Sequence, residues 1–292
     1  IKSEGVSGAQ ICATAYEQGV LPMDEDDYNG LRDGSVSAYS WIREKIENLE
    51  ITPGQLALEP CSGGAVVSDP QTGEVLACVS YPGYDNNRLA NTMDSSYYQQ
   101  LNTGLSRPFY NKATQERTAP GSTYKMVSAV AGLTEGVING GSIINCSGVF
   151  TEVTPSPKCW ISPGAHGGLD VVSALQESCN VFFYTVGYDL GIDDEGNYDS
   201  ELGIQKLAEY AQMFGLGETS GVEIPESDPQ ISDEYAVQSA IGQGTNNYTV
   251  SQLNRYVAAV ANSGTVYSLT LIDRTTDSNG KLISDNEPEV VN

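Results

Sequence analysis

The sequence predicts an α+β chain, and three observations carry that prediction. Gly64–Ser68 and Glu74–Ser80 read as two strands around the turn Asp69-Pro70-Gln71-Thr72-Gly73, a β-hairpin. Four later stretches, Met126–Leu133, Phe182–Leu190, Ile204–Phe214 and Leu253–Val260, carry apolar residues at helical spacing. The final segment, Thr265–Ile272 with Lys281–Ile283, reads as a second strand pair around a Ser278-Asn279-Gly280 turn. A hairpin, then helices, then strands points to an antiparallel sheet flanked by helices.

The elements in order begin with a helical segment over residues 1–50, expected to be a small accessory unit without chemistry of its own. In it Tyr39, Ile42, Ile46 and Leu49 recur at helical spacing. Ile51-Thr52-Pro53-Gly54 is a plausible junction, so a second domain is expected over 51–292. After the hairpin, residues 81–118 read as irregular and lead into the Met126 helix. Residues 140–168, rich in Pro, Gly and Ser, read as a long loop of the kind that lines sites. Leu169–Glu177 reads as a helix with Leu169, Val172 and Leu175 inward. It stops at Ser178-Cys179-Asn180, where the Phe182 helix begins. Gly215 closes the Ile204 helix, and Thr249 caps the last one, which Gly264 ends.

Composition narrows the function. The 292 residues include 38 acidic and 14 basic ones, for a formal charge of −24. That charge argues against a nucleic-acid partner and against docking of the folded domain on an anionic membrane. No stretch approaches the ~20 apolar residues of a membrane span. The six cysteines, Cys12, Cys61, Cys78, Cys146, Cys159 and Cys179, form no C-x-x-C pair and accompany a single histidine, His166. That spacing gives no zinc signature, and no metal or cofactor is expected. Cys78, in an apolar strand, is expected to be a buried thiol. Cys146 and Cys159 flank one loop and could form a disulfide if the protein is exported.

The candidate site starts at Pro120-Gly121-Ser122-Thr123-Tyr124-Lys125. Pro120 and Gly121 close an irregular stretch, which puts Ser122 at the mouth of an apolar helix and Lys125 one turn along the same face. A serine hydroxyl needs a base to become a nucleophile, and a lysine in a dry helical turn can have its pKa lowered enough to be that base. The helix N-terminus adds N–H groups and positive potential for an oxyanion. Letters alone carry little, since Ser278-Asn279-Gly280-Lys281 repeats the Ser-x-x-Lys pattern in a turn. Ser178-x-Asn180 offers a hydroxyl and an amide from one corner between helices, although Asn180 could simply cap the second helix. Ser284-Asp285-Asn286 is its decoy in the polar tail. Gly242-Gln243-Gly244 lacks the strand and Lys-Ser/Thr of a phosphate loop. His166, in a Gly-rich loop, is read as structuring that loop rather than as a triad member.

Taken together, the hairpin, Ser122-x-x-Lys125 on an apolar helix, Ser178-x-Asn180 some fifty residues on, and Gly242-Gln243-Gly244 before a capped helix resemble the transpeptidase domain of penicillin-binding proteins. Further matches are Asp69-x-x-Thr72-Gly73-Glu74, Tyr81-Pro82-x-Tyr84-Asp85-x-Asn87, His166-Gly167 and Phe214-Gly215-Leu216-Gly217. They are similar to the high-molecular-weight, class B members. The resemblance implies a penicillin-binding/β-lactamase-like fold with an all-helical subdomain. It implies D,D-transpeptidation of peptidoglycan stem peptides, with Ser122 as nucleophile, Lys125 as base, Ser178 as proton relay and Asn180, with Ser122, binding substrate. β-Lactams would acylate Ser122. It further implies an extracytoplasmic location, an N-terminal membrane anchor and cell-wall synthesis partners outside these residues. The alternatives are a D,D-carboxypeptidase, a serine β-lactamase, or a non-catalytic β-lactam sensor or scaffold. The family's Lys-Thr/Ser-Gly strand does not occur in residues 1–292, so that strand and its neighbours are expected elsewhere. The 292 residues alone are then expected to be inactive.

Overall fold

The computed structural model describes residues 5–48, 50–51, 62–104 and 106–292. Leu49, the Thr52–Gly54 junction and Cys61 lie outside the described residues. The chain divides into two compact units, one of residues 1–62 with 81–109 and one of 63–80 with 110–292.

The first unit holds helices α1 (Gly8–Glu17), α2 (Glu25–Asp33), α3 (Ala38–Glu47) and α4 (Ser95–Thr103). Ser7 and Gln10 form a reciprocal capping box on α1, and Asp24 caps α2. The apolar centre comprises Cys12, Ala15, Tyr16, Leu21, Leu31, Trp41 and Ile51. Tyr16 and Trp41 satisfy their polar ends there: Trp41 donates to Tyr16 Oη at 3.0 Å, and Tyr16 donates to Asp27 at 2.9 Å. On α3 it is therefore Trp41 that turns inward, while Tyr39 is exposed. Helix α4, in the stretch expected to be irregular, is opened by the Asp94 side chain accepting the Tyr97 N–H.

The second unit opens with the hairpin β1 (Gly63–Ser68) and β2 (Val75–Tyr81). It continues through β3 (Arg117–Thr118), α5 (Lys125–Thr134), β4 (Ile144–Cys146), β5 (Gly167–Leu169), α6 (Val171–Gln176), α7 (Asn180–Asp189) and α8 (Ser200–Met213). Last come α9 (Ala236–Ser239), β6 (Tyr248–Thr249), α10 (Val250–Ala261), β7 (Arg274–Thr276) and β8 (Leu282–Asp285). The pairings are two-stranded and antiparallel for β3–β6, β4–β5 and β7–β8. The mixture of helices and antiparallel pairs is the α+β class expected. The region 140–168 is less irregular than expected, because Ile144, Asn145 and Cys146 pair with Leu169, Gly168 and Gly167.

Helix α7 is the centre of this unit. Phe182, Phe183 and Val186 are fully buried, and α5, α8 and α9 pack round them. A helix buried on nearly every side reads as continuously apolar, which is how Val181–Phe183 and Val186 stand in the sequence. Three expectations change. On α6 the inward residues are Val171 and Ala174, whereas Val172 is 69% and Leu175 38% exposed. Leu169 belongs to β5, so the helix starts two residues later than the apolar pattern suggested, at the Asp170 cap, and its phase rotates. Cys78 is half-buried rather than buried, on a strand whose Leu76 and Val79 are exposed. The first strand of the terminal pair is Arg274–Thr276, not Thr265–Ile272.

The phase of α6 gives a direct test. In thermal or urea unfolding of the full-length protein, Val172→Ser should change stability by less than about 0.5 kcal/mol. Val171→Ser should cost about 1–3 kcal/mol by placing a hydroxyl in an apolar contact.

Candidate functional site

Ser122 lies in a single 3₁₀ turn, Gly121–Tyr124, that runs directly into α5. It is exposed, while Lys125, the first residue of α5, is 1% exposed. The turn is fixed from three sides. Tyr256 of α10 donates its hydroxyl to the Thr123 carbonyl at 2.9 Å, and the fully buried Tyr124 donates to the Leu207 carbonyl of α8 at 3.4 Å. The Gly121 N–H bonds the Gly242 carbonyl at 3.0 Å. Gly242 has φ +73°, and a Cβ there would stand 2.1 Å from the Gly121 carbonyl oxygen. Only glycine allows that approach. The Gly242-Gln243-Gly244 loop is thus a buttress for the Ser122 turn, a role that spacing in the sequence did not reveal.

The Lys125 ammonium reaches across to the corner between α6 and α7. It donates to the Ser178 carbonyl at 2.7 Å, to Ser178 Oγ at 3.1 Å and to Asn180 Oδ1 at 2.7 Å. Ser178, Asn180 and Lys125 are therefore one cluster. No ion pair among the described residues involves Lys125. Burial lowers its pKa to about 8, against the opposing pull of nearby Cys159 and Cys179. A lysine in that range has a substantial neutral fraction near neutral pH and can accept a proton.

The corner has a defined local cause. The Cys179 N–H bonds the Ala174 carbonyl and the Ser178 N–H bonds the Leu175 carbonyl, at 2.9 and 3.1 Å, which closes α6 as a Schellman turn. Ser178 occupies the left-handed position, φ +48°, where glycine is usual. A non-glycine residue there is strained by about 1–3 kcal/mol, and the two bonds from Lys125 to Ser178 help to hold it. Cys179, not Asn180, caps α7, its sulfur accepting the Phe182 N–H at 3.5 Å. Asn180 is left free to face Lys125. Its Oδ1 takes the ammonium, so its amide N–H groups remain donors.

Both decoys fall away. Ser278 sits in the turn between β7 and β8, with the Asp277 carboxylate accepting the Asn279 and Lys281 N–H groups. Ser284 lies in exposed β8.

A second group of chemically able side chains lies beside the corner. The donor atoms of Cys146, Cys159, Cys179 and His166 all lie within 4.8 Å of one another. Cys146 and Cys159 are free thiols rather than a disulfide. The β4–β5 register puts Cys146 opposite Gly167, next to His166, and the Cys159 N–H bonds the Gly148 carbonyl, so both thiols turn to the α7 N-terminus. These four are the described residues that could hold a metal ion. Close Cys-x-x-Cys spacing does not detect them because each comes from a different segment. His166 packs edge-on against Trp160 and faces Cys159, away from any triad role.

Comparison with known proteins places this geometry. Residues 63–292 match the family model described as "Penicillin binding protein transpeptidase domain". A Haemophilus influenzae protein named peptidoglycan D,D-transpeptidase MrdA is 33% identical over 227 residues, covering 72% of this chain and 33% of that protein. The Escherichia coli K12 protein of the same name is 31% identical over 227 residues, covering 69% of this chain and 32% of its own length. Pseudomonas aeruginosa PBP2, solved in complex with WCK 5153, superposes with a TM-score of 0.65 at 27% identity, covering 78% of this chain and 52% of that one. The chain spans about a third of the length of the curated relatives it matches.

The glycine buttress predicts that Gly242→Ala slows reaction of Ser122 with a serine-acylating probe by about 100-fold, the cost of a displacement near 1 Å. Gly280→Ala, also at positive φ but with open space around it, should leave that rate unchanged.

Proposed function

The chain belongs to the penicillin-binding protein transpeptidase family, and on that footing we propose that it forms the nucleophilic half of a D,D-transpeptidase that crosslinks peptidoglycan. The observation that carries this is the Lys125 ammonium bonded at once to Ser178 and Asn180, which joins two motifs 53 and 55 residues apart into one proton-handling cluster.

Ser122 Oγ attacks the carbonyl of the penultimate D-Ala of a stem peptide, and its proton passes to neutral Lys125. The tetrahedral oxyanion forms over the Ser122 N–H at the start of the helical stretch, where backbone dipoles favour negative charge. Ser178 Oγ, within reach of Lys125 Nζ, relays a proton to the leaving amine, and terminal D-Ala departs. Asn180 uses Oδ1 to aim the lysine and its N–H groups to hold a substrate amide carbonyl. The amine of a second stem peptide then resolves the acyl-enzyme. A β-lactam enters the same path at Ser122 and stays bound. The chemistry uses side chains and backbone only, with no cofactor in any step. The protein works outside the cytoplasm, with a membrane anchor and cell-wall synthesis partners beyond this chain. Among the described residues no helix is long and apolar enough to cross a membrane.

The test is exchange of a fluorescent D-amino acid into a pentapeptide stem by the full-length protein, together with the lifetime of its penicillin adduct. Exchange and an adduct lasting many minutes are expected. Release within seconds means that water resolves the acyl-enzyme, as in a β-lactamase, and absence of exchange and of any adduct refutes the reading.

Lys125 also sets a pH dependence. Below about 8 the ammonium predominates and cannot accept the Ser122 proton, so acylation should rise with pH through that value and level off above it. Lys125→Met should lower acylation by about 10²–10⁴-fold and remove this limb from the stopped-flow pH profile.

A further inference from the structure

Tyr256 of α10 is fully buried, with its ring edge-on to Phe214 at 5.4 Å between centroids. Its hydroxyl meets the backbone around Ser122 twice. It donates to the Thr123 carbonyl at 2.9 Å, and the Val127 N–H is aimed at the same oxygen. Burial pushes the pKa of this phenol up, and the Val127 N–H opposes the rise. A phenol can donate one hydrogen bond and accept another, so both are made at once. Thr123 and Val127 stand four residues apart, the spacing at which an α-helix closes N–H on C=O directly.

That rung does not belong to α5. The helix begins at Lys125 with Tyr124 as its cap, so the first carbonyl of its ladder is that of Tyr124. Before it comes the 3₁₀ turn Gly121–Tyr124, after which the Lys125 N–H bonds the Ser122 carbonyl. A side chain inserted into the i→i−4 ladder is one of the few causes of a break in a helix. The Tyr256 hydroxyl stands at that break, where the turn carrying Ser122 departs from the helix carrying Lys125. Helix α5 is fixed independently of it: Val127 is fully buried, and Ser128 donates to the Ala240 carbonyl at 2.7 Å. Ser122 and Thr123 are exposed, so the turn is the part that follows the hydroxyl.

We propose that Tyr256 is a positioning residue for acylation: its hydroxyl, inserted between the Thr123 carbonyl and the Val127 N–H, holds the Ser122 turn off the α-helical path and sets where Ser122 Oγ stands relative to Lys125 Nζ. It acts through the backbone of the turn and takes no part in the chemical steps. Without the hydroxyl the two backbone groups lose their shared partner, and buried N–H and C=O groups demand one, so they close on each other. One direct bond of about 2.9 Å then replaces two successive bonds, which draws the turn toward α5 by on the order of 1 Å. A misplacement of that size costs about 100-fold in rate. The role in acylation rests on the functional reading above, and the insertion does not.

The test is stopped-flow acylation of the full-length protein by a penicillin, with noncovalent binding and the acylation step resolved separately. Tyr256→Phe should slow the acylation step by about 100-fold and leave noncovalent binding unchanged. Its rise with pH through about 8 should stay in place, because Lys125 keeps its three acceptors. Tyr256→p-aminophenylalanine, whose amine can both donate and accept, should restore most of the rate. Tyr210→Phe removes another hydroxyl, one that donates to Glu135 at 2.8 Å, and should lower stability without slowing the step. A wild-type rate in Tyr256→Phe that circular dichroism shows to be folded, or equal slowing in Tyr210→Phe, overturns the proposal. So does a loss confined to noncovalent binding. If Tyr256→Phe fails to fold, a crystal structure of the wild type decides. The hydroxyl between Thr123 and Val127 beside a 3₁₀ Ser122 turn supports the proposal, and a Val127 N–H bonded directly to the Thr123 carbonyl overturns it. A wild type that forms no adduct refutes the functional reading and the role in acylation with it, leaving the insertion standing.

Discussion

A buried lysine with no carboxylate partner is the constraint from which the site is built. Lys125 begins α5 beneath the surface, and among the described residues its ammonium donates to a backbone carbonyl, a hydroxyl and an amide oxygen of one corner. A carboxylate partner would hold the lysine charged and useless as a base. Neutral acceptors in a dry pocket leave its pKa at about 8. The corner supplies those three acceptors with Ser178 at the left-handed position of the Schellman turn that closes α6.

The rest of the second unit keeps that arrangement from relaxing. Helix α7 carries Asn180 at its first turn and is anchored by Phe182, Phe183 and Val186, whose burial contributes several kcal/mol. Helix α10 reaches the Ser122 turn through Tyr256. It is itself held by Arg255, which donates to the Gly215 carbonyl, and by Glu226, whose carboxylate accepts from Ser220, Thr249 and Ser251. The Gly242 loop closes the third side. Strain at Ser178 is tolerated because these contacts over-determine the positions of the two elements it joins.

Much of this was legible in the sequence because the decisive signals are local. The hairpin turn at Asp69–Gly73, the Thr249 cap and the apolar run from Phe182 all report their own conformation. The Pro120-Gly121 break before an apolar run places Ser122 in the turn that leads into α5. What stayed hidden is set by tertiary pairing. The phase of α6 depends on Asp170 as cap and on β5 claiming Leu169. The Schellman turn at Ser178 lacked its usual glycine. Gly242 acquires meaning only beside Gly121, and the Cys/His cluster draws one residue from each of four segments.

The central claim is that Ser122 is the nucleophile and that the Lys125–Ser178–Asn180 cluster activates it. The most direct measurement is mass-spectrometric mapping of the adduct formed by full-length protein with a penicillin, in wild type and in Ser122→Ala. The account predicts one adduct per chain, on the peptide containing Ser122, absent from the variant. An adduct on any other residue, or an undiminished adduct in Ser122→Ala, would contradict it.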